Sequence, residues 1–262
     1  MSDAILVRDI HGPAELRACQ ALQRRTWGIT EDGYVVPVAT MAAAQKVGGL
    51  VLGAFDDQAT LLGFTFAFLG KLHGSLVLYS QLAAVDPNAQ GRGIGRQLKF
   101  EQRERARRDG LSAVVWAFDP LQASNASFNL GVLGATCRVY EVDLYGSRTD
   151  ALNAGLATDR LFAEWSTTLD PQPIREPWPD APDLIEVAGD LTPLGCHPPT
   201  GDRARIEIPA DLASVKRTPE VAQAWQHHVR TAFQQAFDAG LVAVGFSRAD
   251  PHRPRFLLHR RA

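Results

Sequence analysis

The stretch Leu82-Ala83-Ala84-Val85-Asp86-Pro87-Asn88-Ala89-Gln90-Gly91-Arg92-Gly93-Ile94-Gly95-Arg96 decides how the rest of the chain is read. Its first four residues close an apolar run, 75–85, of strand character. Asp86-Pro87 then ends strand pairing, because proline has no amide to give a ladder. From Ile94 the sequence IGRQLKFEQRERARRDG is built of helix formers and stops at Gly110, a residue suited to the left-handed C-terminal cap. A strand, a glycine loop and a helix follow one another. Free backbone amides at a helix N-terminus, with the positive end of the helix dipole behind them, hold phosphate oxygens, and glycine lets those oxygens come close. Arg92 and Arg96 would add charge-assisted hydrogen bonds. A tight strand-to-helix turn with solvated arginines is the alternative reading of the same residues.

Two phosphate-binding patterns are excluded by spacing. A P-loop needs lysine and then serine or threonine after its second glycine, whereas Gly95 is followed by Arg96-Gln97. A dinucleotide fingerprint needs GxGxxG, whereas Gly91, Gly93 and Gly95 are spaced GxGxG.

Working outward, residues 4–7 read as a strand, and Gly12-Pro13 opens an amphipathic helix carried by Leu16, Cys19, Leu22 and Trp27. Residues 49–55 and 61–69 are apolar runs parted by a polar break of hairpin length, giving two antiparallel strands. Residues 111–118 are valine-rich and predict a buried strand parallel to 75–85, because a helix crosses between them. A short helix over 124–133, a strand over 137–145 and another over 161–168 follow. Between Pro171 and Pro199 lie eight of the sixteen prolines, so this span sustains no long helix or central strand. Beyond it come a strand at 204–208, a helix from Thr218-Pro219 to Gly240, and strands at 241–246 and 255–259.

The pattern Gln90-x-x-Gly93-x-Gly95 after a strand ending Leu82-Ala83-Ala84-Val85-Asp86-Pro87 resembles the coenzyme A signature of the GNAT superfamily of N-acetyltransferases, over roughly residues 3–170. The stretch FDPLQASNASFNLGVLGA looks like a branch of predicted acetyltransferases that carries a C-terminal extension. The implied fold class is α+β, of the α/β three-layer type. It has a mixed, mostly antiparallel sheet with one splayed parallel pair, flanked by helices, and a small C-terminal α+β unit. The expected domains are 1–170 for acyl-CoA binding and catalysis, 171–199 as a proline-rich connector, and 200–262 as the C-terminal unit packed on the first. The resemblance implies acetyl-CoA or coenzyme A as cosubstrate, with its pyrophosphate on Gln90, Gly91, Arg92, Gly93, Ile94, Gly95 and Arg96. Its pantetheine arm would pair with the main chain of Leu82, Ala83, Ala84 and Val85. Asn125 would hydrogen-bond the coenzyme, or would simply cap the short helix.

Amide formation from a thioester needs a neutral amine, a donor to the carbonyl oxygen and a proton source for the thiolate. Main-chain amides near Ala84 and Val85 are the expected donors to the oxygen. Many family members carry a tyrosine where this chain has Leu130, so Tyr79, Tyr140 or Tyr145 from a different element is the candidate acid. The strand 75–85 has no carboxylate, and Asp119, at the end of the next strand, is the candidate base. An Asx-turn that organises Asp119-Pro120-Leu121 is the competing role.

With 27 basic against 29 acidic residues the net charge is −2, which argues against a general polyanion binder. Cys19, Cys137 and Cys196 are odd in number and scattered, so neither a disulfide framework nor a zinc site is expected, and no metal is assigned. No apolar run spans a membrane and the start lacks a secretory pattern, so a cytoplasmic location is expected. The resulting expectation is an acetyl-CoA-dependent N-acyltransferase acting on a small-molecule amine by direct transfer. No nucleic-acid or membrane partner is expected, and a homodimer is one assembly state. The other class is a non-catalytic acyl-CoA-binding sensor or scaffold.

Overall fold

The computed structural model describes residues 5–146 and 155–260, which form two compact units. The first unit contains residues 5–116 and 166–170. It runs β1 (Leu6–Asp9), α1 (Gly12–Trp27), α2 (Val38–Lys46), β2 (Leu50–Phe55), β3 (Leu61–Leu72), β4 (Ser75–Val85), α3 (Ile94–Arg108) and β5 (Ala113–Phe118), whose last two residues belong to the second unit. The strands lie in the order β1-β2-β3-β4-β5. Successive pairs are antiparallel except β4 with β5, which is parallel as expected from the intervening helix.

Side-chain alternation divides this sheet between two helical layers. Leu16, Cys19 and Leu22 of α1 and Met41 of α2 pack with Val51, Phe55, Phe64, Phe66 and Ala84 on one face. Gly63 points to the other face, where a Cβ would lie 3.0 Å from Ile94 Cγ2 and 3.2 Å from Leu98 Cδ1 of α3. The absence of a side chain at Gly63 is what lets α3 approach so closely. Helix α2 has no counterpart in the sequence expectations. Ala4, expected to open the first strand, falls outside the described residues.

The second unit contains residues 117–146, 155–165 and 171–260 of the described chain. It runs α4 (Ala123–Ala126), β6 (Thr136–Glu141), β7 (Arg160–Ser166), β8 (Ile185–Val187), β9 (Pro193–Cys196), β10 (Arg203–Glu207), α5 (Leu212–Val215), α6 (Pro219–Asp238), β11 (Leu241–Ser247) and β12 (Arg255–Arg260), with Ser166 counted in the first unit. Its strands order β7-β6-β11-β12-β10, and β11 meets β6 at Ala243↔Cys137. The apolar face of α6 carries Trp225, Val229, Phe233 and Ala236, all buried. Phe233 sits edge-on to Phe256 at 5.0 Å, and Phe246 to the same ring at 4.9 Å.

Two expectations here are corrected. The strand over 137–145 ends at Glu141, because Asp143 turns into left-handed backbone at φ 49° and its carboxylate accepts from Thr158 N at 3.0 Å. The helix over 124–133 is one α-turn, α4, followed by a π-helical stretch at Ser127–Val132 that Leu133 N closes onto Phe128 O at 2.9 Å. The proline-rich span carries the β8–β9 hairpin and lays Ile174 beside Gly245 as an isolated parallel bridge. Among the described residues no helix is long and apolar enough to cross a membrane.

Gly245 is held to glycine by that bridge. A Cβ there would lie 2.6 Å from Ile174 O and 2.7 Å from Ile174 Cβ, with backbone on the opposing side. Gly245→Ala is expected to cost about 1–3 kcal/mol, the usual penalty of forcing a methyl into packed structure. A lower urea midpoint with an unchanged slope would register it.

Candidate coenzyme and proton-transfer sites

The glycine loop lies in the first unit and is shaped by backbone that other residues avoid. Asp86 Oδ1 accepts from Asn88 N at 3.0 Å and Ala89 N donates to Asp86 O at 2.8 Å, which ends β4 in a tight turn. Gly91 and Gly93 then take φ of 78° and 77°. Any Cβ at such φ costs roughly 1–2 kcal/mol. No atom lies within 4 Å of the Cβ that either glycine would carry, so their need is conformational and the space above the loop is open. Helix α3 starts at Ile94 with Gly93 at its N-cap and no side chain capping it. Its first amides, of Ile94, Gly95 and Arg96, are therefore offered outward at the positive end of the dipole. Gln90, Gly91, Arg92, Gly93 and Arg96 are exposed, and the Arg96 guanidinium lies 5.0 Å over the Phe100 ring.

Strand β4 leads into this loop. Its pairing with β5 is confined, among the described residues, to Leu78↔Val114 and Tyr79↔Val115. On its other edge β4 follows β3 to the end, Gly63↔Val85 through Phe66↔Leu82, then Ala67↔Ser80 after a register shift. Gln81 is the extra residue, a β-bulge. The consequence is a change of face. Leu82 packs on the α1 side of the sheet, whereas Ser80, two residues earlier, points to α3 and accepts from Lys99. Regular alternation would put both on one side. Leu82, Ala83, Ala84 and Val85 thus share the segment past the bulge, where β4 no longer pairs with β5. Tyr79 stands just before it, its ring 5.2 Å from Phe68.

The remaining sequence candidates belong to the second unit. Asp119 forms the Asx-turn: its Oδ1 accepts from Leu121 N at 2.9 Å, and Gln122 N donates to its carbonyl at 3.2 Å. Burial raises its pKa above the ordinary aspartate value, against the Leu121 hydrogen bond and the charges of Arg160 and Lys216. Asn125 is exposed and lies inside α4, whose N-cap is Gln122, so capping is not its role. The Tyr140 hydroxyl donates to Asp159 Oδ2 at 2.7 Å, and Arg230 holds the same carboxylate at 2.8 and 2.9 Å. Burial and the adjacent Asp159 charge raise the tyrosine pKa well above its usual value. Leu130, where the sequence resemblance implies a tyrosine, is fully buried.

Lys99 was not among the sequence candidates. It is 5% exposed and donates to Ser80 Oγ at 2.9 Å and Gln102 Oε1 at 3.3 Å, with its Nζ 3.8 Å over the Trp116 ring of β5. Burial alone lowers its pKa to about 7. Only its place one residue after the buried Leu98, on a helix whose other basic residues are arginines, sets it apart in the sequence.

The comparisons with known proteins bear on this arrangement. No protein-family model and no curated protein matches the sequence. Among solved structures, one of the NatC complex bound to Gag peptide and CoA matches at TM-score 0.50 and 12% identity, covering 62% of this chain and 98% of that one. The ribosomal-protein-S18-alanine N-acetyltransferase from Escherichia coli matches at 0.49 and 14%, over 66% of this chain and 100% of that one. A putative acetyltransferase from Salmonella typhimurium, solved with acetyl-CoA, matches at 0.49 and 19%, over 65% and 99%. The chain has the GNAT acetyltransferase fold. Within that GNAT fold, the glycine loop and the bulged strand stand together in the first unit.

Lys99 gives the GNAT fold of this chain a signature in stability. The unfolded chain keeps a lysine proton up to about pH 10.5, whereas folded Lys99 loses it near 7. Between those values the unfolded state binds more protons, so stability rises with pH. From about pH 7 to about pH 9 this group is expected to add as much as about 2 kcal/mol. Urea denaturation across that range should show the rise in the wild type and a flatter profile in Lys99→Met.

Proposed function

We propose that this protein is an acyl-CoA-dependent N-acyltransferase that moves an acetyl group from acetyl-CoA to the amine of a small molecule by direct transfer. One observation carries the reading: an uncapped helix N-terminus, reached through two glycines in left-handed backbone, directly follows a bulged strand whose last residues lie beyond its pairing with β5. The first feature suits a pyrophosphate and the second an extended arm that adds hydrogen bonds to a strand.

In this reading the amides of Gln90, Gly91, Arg92, Gly93, Ile94 and Gly95 hold the pyrophosphate and Arg96 adds its charge. The main chain of Leu82, Ala83, Ala84 and Val85 pairs with the pantetheine arm. Amides near Ala84 and Val85 donate to the thioester oxygen as the neutral amine attacks the carbonyl carbon. The carbon–sulfur bond breaks, the thiolate leaves with a proton, and the amide nitrogen loses one. Asn125 enters on the family resemblance, and Asp119 and Tyr140 enter from the sequence reading, as the carboxylate at the end of the strand after 75–85 and as a tyrosine in place of the one absent at Leu130. Asp119 is the candidate base and Tyr79 and Tyr140 are the candidate acids, the Tyr140 hydroxyl donating to Asp159. Asp119, with its pKa raised by burial, is a stronger base than an ordinary aspartate.

Gly93→Val tests the loop. It should remain folded, since its cost is backbone strain with no packing clash, yet bind coenzyme A at least about tenfold more weakly by calorimetry. Undiminished binding by a folded variant would remove the basis of the assignment.

A sensor or scaffold is the second reading, favoured by the buried Leu130 at the tyrosine position and by the engaged Tyr140. Free thiol release from acetyl-CoA across a panel of small amines separates the two. The enzyme reading expects turnover with at least one amine, reduced about a hundredfold or more in kcat by Asp119→Asn. Tight coenzyme binding with no turnover on any amine would favour the sensor.

A further inference from the structure

Lys99 reaches both sides of the Gln81 bulge from behind the sheet. Before the bulge it donates directly to Ser80 Oγ at 2.9 Å. After it, a relay runs from Lys99 to Gln102 Oε1 at 3.3 Å, from Gln102 Nε2 to Thr65 Oγ1 at 3.0 Å, and from the Thr65 hydroxyl to Leu82 O at 2.9 Å. Its third contact is the Trp116 ring on β5 at 3.8 Å. One nitrogen therefore ties α3 to β4 on either flank of the bulge and to β5 close to where the two strands stop pairing.

Among the described residues, the groups this nitrogen touches are polar but uncharged. From β4 it meets a hydroxyl, from β3 a hydroxyl through Gln102, from β5 an indole, and from its own helix an amide. No Coulombic partner contributes to its shift, which burial accounts for alone. Lys99 is also five residues from the first residue of α3, about 7.5 Å along the axis, and helix side chains lean toward the N-terminus. A diphosphate on the loop amides would therefore act on it through poorly screened surroundings.

We propose that Lys99 is a positioning residue for the coenzyme site, holding the bulged segment of β4 in place and taking up a proton when coenzyme A binds. The inference rests on the coenzyme reading of the loop. The sign follows from charge. An anion on the loop favours the ammonium form, so affinity is highest where Lys99 is protonated and falls as the pH rises through its titration. Linkage makes this reciprocal: bound coenzyme raises the pKa of Lys99 by the logarithm of the factor through which protonation strengthens binding.

Calorimetric titration of coenzyme A into the full chain at about pH 6 and about pH 8.5 tests this, with Lys99→Met and Lys99→Arg alongside. The ionisation of the coenzyme's own phosphates is common to all three. Wild-type affinity is expected to fall about tenfold further across this range than that of either variant. Arginine, charged throughout, should keep the high-pH affinity above wild type. Equal pH dependence in all three proteins would overturn the proposal. Absence of binding by the wild type at both pH values would instead overturn the coenzyme reading itself, a different result. If the variants do not fold, the wild type still decides through its four lysines. In nitrogen-15 lysine spectra one amine should titrate near neutrality and move up by about one pH unit with coenzyme A. No neutral-range amine, or one that coenzyme A leaves unmoved, would sink the proposal.

Discussion

One extra residue in one strand governs the first unit. With Gln81 inserted opposite the junction of Phe66 and Ala67, β4 changes face between Ser80 and Leu82. The apolar half, Leu82 and Ala84, joins the core under α1, while Ser80 is turned to α3. Without the bulge the alternation would leave either Leu82 against the polar cluster or Ser80 in the apolar core. A buried hydroxyl without a partner costs about 1–3 kcal/mol. The polar cluster of Lys99, Gln102, Thr65 and Ser80 is thus the complement that the bulge requires, and each of its members is hydrogen-bonded.

The same constraint orders what lies at the two ends of the segment. At its start, pairing with β5 ceases after Tyr79. At its end, Asp86 ties its amide to Leu62 O at 2.8 Å and turns the chain into the glycine loop. Between these anchors the strand is held on its β3 edge, with Val85 still in register with Gly63. Gly63, by yielding its volume to Ile94 and Leu98, seats the first turns of α3 directly over that register. Strand, turn and helix N-terminus are therefore positioned as one piece, and this is why a short sequence motif carries so much of the fold.

Much of this was legible in the sequence because it depends on local chemistry. Proline after Asp86, glycines at 91 and 93, and a charged helical run ending at Gly110 dictate strand, loop and helix irrespective of context. Helix α2 escaped because VATMAAAQK has no apolar period to detect: only Met41 is buried, and alanine favours a helix through propensity alone. The end of β6 escaped because Asp143 keeps the alternation of a strand yet is bent away by its bonds to Thr158 and Asp159. The bulge and Lys99 were hidden for a shared reason. A one-residue register shift leaves composition and period almost unchanged, and a lysine in an arginine-rich helix reads as solvated. Only three-dimensional register shows that its side chain ends between two strands.

In the proposed reading of the loop, Lys99 also places folding and coenzyme binding in opposition over the same proton. Burial without a carboxylate partner makes the folded chain prefer the neutral amine. The cation–π contact with Trp116 and the oxygen atoms of Ser80 and Gln102 favour the ammonium, and they offset only part of the lost hydration. An anion on the neighbouring helix terminus adds to their side of the balance. Near neutral pH, where the two forms are close in free energy, a modest field suffices to reverse the preference, because each factor of ten in population requires only about 1.4 kcal/mol. A methionine of similar length would pack the same space without that balance and would leave Ser80 and Gln102 short of a donor. The position is thus costly as a structural element, and its chemistry makes sense as a response to charge arriving on the loop.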